Sequence, residues 1–70
     1  MKEEWIDYYV YLEELRRSGR TNMWGAGEFL QVEMGMSRDL AKDVLLNWMK
    51  HYEEIEAHLE ANNLIPPRED

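Results

Sequence analysis

The chain has 70 residues and a mass of 8.5 kDa, one domain at most. A domain of this size buries only about 60% of the surface its unfolded chain exposes, so each large side chain matters. Aromatic residues make up 11%, enough for a core and too many for a disordered tail, and the net charge is −7. The absence of Cys excludes a disulfide scaffold, thiolate metal ligands and a Cys nucleophile. No run approaches the ~18 apolar residues that a membrane span needs. The start Met1-Lys2-Glu3-Glu4 is too acidic for a signal or transit peptide, so the expected compartment is the cytoplasm.

Charge is unevenly distributed. Residues 1–14 and 51–70 are strongly acidic, and the one positive island is Arg16, Arg17 and Arg20. Two of these arginines close the last turn of a predicted helix, where cations suit the macrodipole. The alternative is a contact for an anion or an acidic partner.

The first predicted helix runs from about Glu3 to Ser18, with Gly19 placed as its left-handed C-terminal residue. Trp5, Tyr8, Tyr9, Leu12 and Leu15 form a stripe at helical spacing, with Ile6 and Val10 on one flank and Tyr11 on the other. That apolar arc is wider than one buried face requires. Either the helix is sandwiched inside the domain or part of it meets another chain.

Thr21 and Asn22 are good N-cap residues for a second helix from about Met23 to Met34, stopped by Gly35. Its first turn holds Gly25-Ala26-Gly27. A Gly-rich helix start can cradle phosphate, but no strand precedes it and no Gly-Lys-Ser/Thr follows. Small residues beside Trp24 fit close packing better.

The third helix, near 38–62, gives the clearest signal. Ser37 is its N-cap, with Met36 as a hydrophobic staple onto Ala41. Ala41, Leu45, Trp48, Tyr52, Ile55 and Leu59 follow at heptad spacing. Asn62-Asn63 and Pro66-Pro67 end the helix. The expectation is an all-α, three-helix domain over residues 1–63, whose second and third helices resemble a helix-turn-helix, followed by a polar tail over 64–70. Trp5, Tyr9, Leu12, Leu15, Phe29, Leu30, Leu45, Trp48 and Tyr52 should be among its most buried residues.

The lengths do not match: roughly 36 Å for the third helix against roughly 24 Å for the first. Ile55 and Leu59 would then outrun their cover within one chain. Tyr52, Ile55 and Leu59 are therefore the expected self-association strip of a homodimer.

Tyr11-Leu12, Leu15-Arg16, Ser18-Gly19, Thr21-Asn22-Met23-Trp24-Gly25-Ala26, Gly35, Ser37, Ala41 and Trp48-Met49 carry a resemblance. Together they resemble short phage- and prophage-encoded helical proteins with a Leu-Arg-x-Ser-Gly-x-Thr-Asn-Met-aromatic-Gly-Ala segment. The resemblance covers a little over half the chain. It implies a mobile-element setting and carries no site residues or mechanism.

Enzymatic chemistry finds little footing. His51, Glu54 and His58 share one side of a helix, but the two His are about 10 Å apart along the axis, too far for one metal. No nucleophile, oxyanion donor or cofactor loop stands beside Glu13-Glu14 or Glu53-Glu54-Glu56. The expectation is no enzyme, no metal and no cofactor.

A recognition helix here would present Arg38, Asp39, Lys42, Asp43 and Asn47, and its two carboxylates oppose phosphate. The leading expectation is thus a small acidic accessory protein that binds itself and a host or phage protein. The first alternative is a helix-turn-helix regulator. A further one is a phage inhibitor of a host nucleic-acid enzyme, using Glu53, Glu54, Glu56 and Glu60 as a DNA-like surface.

Overall fold

A computed structural model describes residues 2–19 and 25–67. The expected cap at Asn22, the residues Met23 and Trp24, and Arg20 of the positive island lie outside the described residues. All described regular structure is helical. A 3₁₀ turn, Glu3–Trp5, leads into α1 (Ile6–Ser18); α2 (Ala26–Glu33), α3 (Arg38–Lys50) and α4 (Tyr52–Ala61) follow.

Local chemistry sets most boundaries. Gly19 ends α1 with φ 71°, its N–H bonded to the Arg16 carbonyl, and Gly35 turns the chain after α2 with φ 66°. Both are left-handed positions that a Cβ would strain. Ser37 caps α3 by accepting the Leu40 N–H at 3.1 Å. At the end of α4, Asn63 adopts φ 58° while the Leu64 N–H reaches back to the Leu59 carbonyl at 2.9 Å. That six-residue closure satisfies a terminal carbonyl and turns the chain back toward the body.

The long third helix is not continuous. It breaks at His51 (φ −116°, ψ 28°) into α3 and α4. No Pro or Gly marks the site, so the break has a tertiary cause. A straight helix would carry Ile55 and Leu59 past the end of α1. The bend instead lays α4 on α1 and buries both residues completely. Burying each contributes about 1.5–3 kcal/mol, more than the ~1 kcal/mol that one interrupted hydrogen bond typically contributes. His51 then stands 3.6 Å from Glu54 in the first turn of α4.

This arrangement accounts for the wide arc of α1. It packs against both α2 and α4, while α3 contacts α2 and α4. The core holds Tyr9, Leu12, Leu15, Ala26, Leu30, Met36, Ala41, Val44, Trp48, Ile55, Leu59 and Ile65. Ile6, Tyr8, Val10 and Tyr11 pack around its edge. Of the expected core, Tyr9, Leu12, Leu15, Leu30 and Trp48 are buried, while Trp5, Phe29, Leu45 and Tyr52 are only half-buried.

The packed body also passes the boundary expected at 63. Ile65, assigned by sequence to a polar tail, is 4% exposed within the core.

Candidate functional site

The unusual chemistry lies where α1 meets α4. Glu13 has no exposed surface, a rare condition for a carboxylate. Its place in α1 explains this: Ile6, Val10, Glu13 and Arg17 form one row at helical spacing, on the flank that receives α4. One turn on, the Arg17 guanidinium stands 3.4 Å from the Glu13 carboxylate through Nε. Its Nη2 lies 3.7 Å from the Glu56 carboxylate of α4, and its Nη1 donates to the Pro66 carbonyl at 2.6 Å. A single side chain thus joins α1, α4 and the segment after α4.

The α4 side of the cluster is equally well defined. The Tyr52 hydroxyl donates to Glu56 Oε2 at 2.8 Å, and the Arg16 guanidinium lies 4.6 Å over the Tyr52 ring. Trp48 meets the same ring edge-on across the His51 bend. Burial pushes the Glu13 carboxyl above its ordinary range, and the charge and hydrogen bonding of Glu56 push it further; Arg16 and Arg17 offset part of the rise. Tyr52 is also raised well above its usual value, first by desolvation and then by its bond to Glu56. The cluster thus gathers two carboxyls, a phenol and two guanidiniums where α1 meets α4, with Arg17 on its exposed side.

A second polar link ties the N-terminus to α3. Tyr9 donates to Asn47 Oδ1 at 2.6 Å and accepts from the Lys2 backbone N–H at 3.2 Å. Desolvation raises the Tyr9 hydroxyl. An open groove lies between α2 and α3, lined by Gly27, Glu28, Gln31, Val32, Lys42 and Leu45 among others. Val32 stands 80% exposed on its rim, the most exposed large apolar residue described.

These positions correct several expectations. Ile55 and Leu59 are 0% exposed within a single chain, so they cannot form a self-association strip. Tyr52 is occupied by Glu56, Trp48 and Arg16. Arg16 and Arg17, expected at an anion or partner contact, have partners within the chain: Arg16 lies over the Tyr52 ring, and Arg17, still exposed, meets Glu13 and Glu56. Asn47, placed among outward base-reading residues, is turned to Tyr9, whereas Arg38, Asp39, Lys42 and Asp43 are exposed. His51 pairs with Glu54, while His58 neighbours Asn62, and no group of three metal-ligating residues occurs among the described residues.

Sequence reasoning weighed Glu13 only as an acid or base without catalytic partners and did not place it in the interior. The overlooked signal was its place on the Ile6–Val10 row, four residues before an arginine.

Comparison with family models, with curated proteins and with solved structures finds no match to this chain.

Proposed function

We propose that the protein is a small non-enzymatic accessory module of phage or prophage origin that acts by binding protein, including a second copy of itself. The observation that carries this reading is the exposed Val32 on the rim of the α2–α3 groove. Leu46 and Leu64 are the other exposed large apolar residues described, at 50% and 45%. The occupant that fits best is the same groove of a second copy. Glu28 on the α2 wall and Lys42 on the α3 wall are of opposite sign, and a two-fold pairing sets each opposite its complement.

Sedimentation across a concentration series tests this, with wild type beside Val32→Glu. Association in wild type that is lost in the variant supports the groove. A monomer throughout removes the self-association part of the reading, and identical association in both proteins removes the groove. The phage setting is tested by the genes flanking this one: phage structural or regulatory genes would support it, and a run of housekeeping genes would refute it.

A helix-turn-helix regulator is the second reading, favoured by the short turn Met34–Ser37 between α2 and α3 and by exposed Arg38 and Lys42. Against it stand Asp39 and Asp43 on the same helix and the loss of Asn47 to Tyr9. Duplex-DNA titration over a salt series distinguishes the two. A regulator loses affinity steeply as salt rises.

A further inference from the structure

We infer that the outward face of α3, centred on Leu46 and flanked by Lys42 and Lys50, docks an acidic segment of another protein that carries an apolar anchor residue. The inference rests on the reading of the protein as a protein-binding module and does not need the self-association groove.

The face is defined by what the helix leaves outside. α3 turns Ala41, Val44 and Trp48 into the core. Arg38, Lys42, Leu46 and Lys50 follow at spacings of four, which makes consecutive members neighbours on the helix surface. All four are exposed, and Leu46 keeps 50% of its surface. α3 is also the one described helix in which cations outnumber carboxylates, with Arg38, Lys42 and Lys50 against Asp39 and Asp43. A chain with 15 acidic residues for 8 basic ones offers its cations many partners at home. Arg17 takes Glu13 and Glu56, while Arg16 and Lys2 lie over aromatic rings. Arg38, Lys42 and Lys50 enter no ion pair among the described residues. Unpaired cations around an exposed leucine are complementary to carboxylates around an apolar side chain.

A seat for that side chain lies beside Leu46. The N-terminal turn and α3 border an open hollow lined by Lys2, Trp5, Asp43, Leu46, Asn47 and Lys50. Its two walls are tied together: the Lys2 N–H donates to the Tyr9 hydroxyl at 3.2 Å, and that hydroxyl donates to Asn47 Oδ1 at 2.6 Å. Trp5 is half-buried there, so an apolar anchor meets both an indole and Leu46. A hollow that is already formed costs less to occupy than one ordered on binding.

Asp39 and Asp43 disfavour a duplex on this face. DNA carries one charge per about 1.7 Å of its axis, so phosphates meet the aspartates wherever they meet the lysines. A peptide has discrete charges, and sets carboxylates at Lys42 and Lys50 with neutral residues over Asp39 and Asp43. At physiological ionic strength salt screens charges more than about 8 Å away, so a docked segment responds mainly to this local face.

The test is an NMR titration of the isotope-labelled full chain with a short synthetic peptide, leucine and phenylalanine flanked by glutamates. Amide shifts should gather on residues 42–50 and on the Trp5 indole. Lys42→Glu and Leu46→Gln are surface changes that should leave the melting temperature near that of wild type. Each should weaken binding by about tenfold or more. Val32→Glu, on the neighbouring groove, should bind as wild type does, and a peptide with lysine in place of glutamate should not bind.

No binding up to about 1 mM peptide would overturn the proposal. So would equal binding of the lysine peptide, unchanged affinity in both α3 variants, or loss in Val32→Glu with retention in Leu46→Gln. A duplex oligonucleotide that takes the same residues more tightly would also overturn it. Sedimentation keeps the two readings apart. Peptide binding by a strict monomer retains this face and removes the groove dimer, and a dimer that ignores the peptide does the reverse.

Discussion

Replacing Ile55 with Ala separates intramolecular burial from an interface within a single experiment. The structure places Ile55 at 0% exposure in α4, within the core. Removing its outer carbons loses transfer free energy and leaves a cavity, about 2–5 kcal/mol for an Ile or Leu truncated to Ala. A domain of this length has a total stability on the order of 3–10 kcal/mol. The variant should therefore lose a large share of its stability, and its melting temperature should drop by about 4–8 °C for each kcal/mol lost.

Thermal melts over a wide concentration range, wild type beside variant, provide the assay. Because the cost arises within one chain, the difference between the two proteins should be the same at every concentration. An interface residue behaves otherwise: its contribution depends on how much partner is bound and fades in dilute solution. A deficit that vanishes on dilution would refute the intrachain placement of α4 and restore the C-terminal seam as a contact between copies.

Three further outcomes are expected. Ser37→Ala removes the acceptor for the Leu40 N–H and should cost about 0.5–2 kcal/mol, with Ser37→Asp retaining most of the stability in the same urea titration. Asn47→Leu leaves the buried Tyr9 hydroxyl without its acceptor and should cost about 1–3 kcal/mol, read as a lower urea midpoint at unchanged slope. Stability should also depend on pH through Glu13. Its carboxyl is raised in the folded state, so its contribution is fully present below the unfolded carboxylate value and is lost as pH rises through the folded one. Melting temperatures followed upward from mildly acidic pH should decline more steeply in wild type than in Glu13→Gln; equal slopes would show that Glu13 does not titrate differently on folding.

Much of the fold was legible because its punctuation is local. Gly19, Gly35 and Ser37 act within a residue or two of where they stand, and each ends or starts a helix as its chemistry requires. Periodicity correctly gave the inward direction of Tyr9, Leu12, Leu30 and Trp48. It could not give the distance from each residue to its cover, which depends on where helices end in space. Heptad spacing continues through His51 without interruption, so the bend was invisible to it. The charge order was not silent, however. Lys50 suits the last turn of one helix and Glu53-Glu54 the first turn of the next, a basic-to-acidic sequence that marks a helix end followed by a helix start. The length mismatch expected between the first and third helices disappears: α1 and α3 have 13 residues each, and the rest of the stripe forms α4 against α1. Trp5, Phe29, Leu45 and Tyr52 lie nearer the periphery than their size suggests, and the smaller Ala41 and Val44 fill the space between helices.

The Glu13 cluster poses a question that stability alone does not answer. Taking the Glu13 carboxyl out of water is costly, and apolar residues of similar volume often do as well or better at such positions. A leucine at position 13 would extend the Ile6–Val10 row and continue the core without any desolvation cost. What it could not do is orient Arg17. The long arginine side chain is met by a carboxylate on its own helix and another on α4, and in that geometry Nη1 reaches the Pro66 carbonyl. The buried charge therefore specifies position: it fixes the register of α4 on α1 and the point at which the following segment docks. A constraint of this kind is titratable where an apolar contact is not, and in a chain with a net charge of −7 it holds Arg16 and Arg17, two of its eight cationic residues, at the α1–α4 interface.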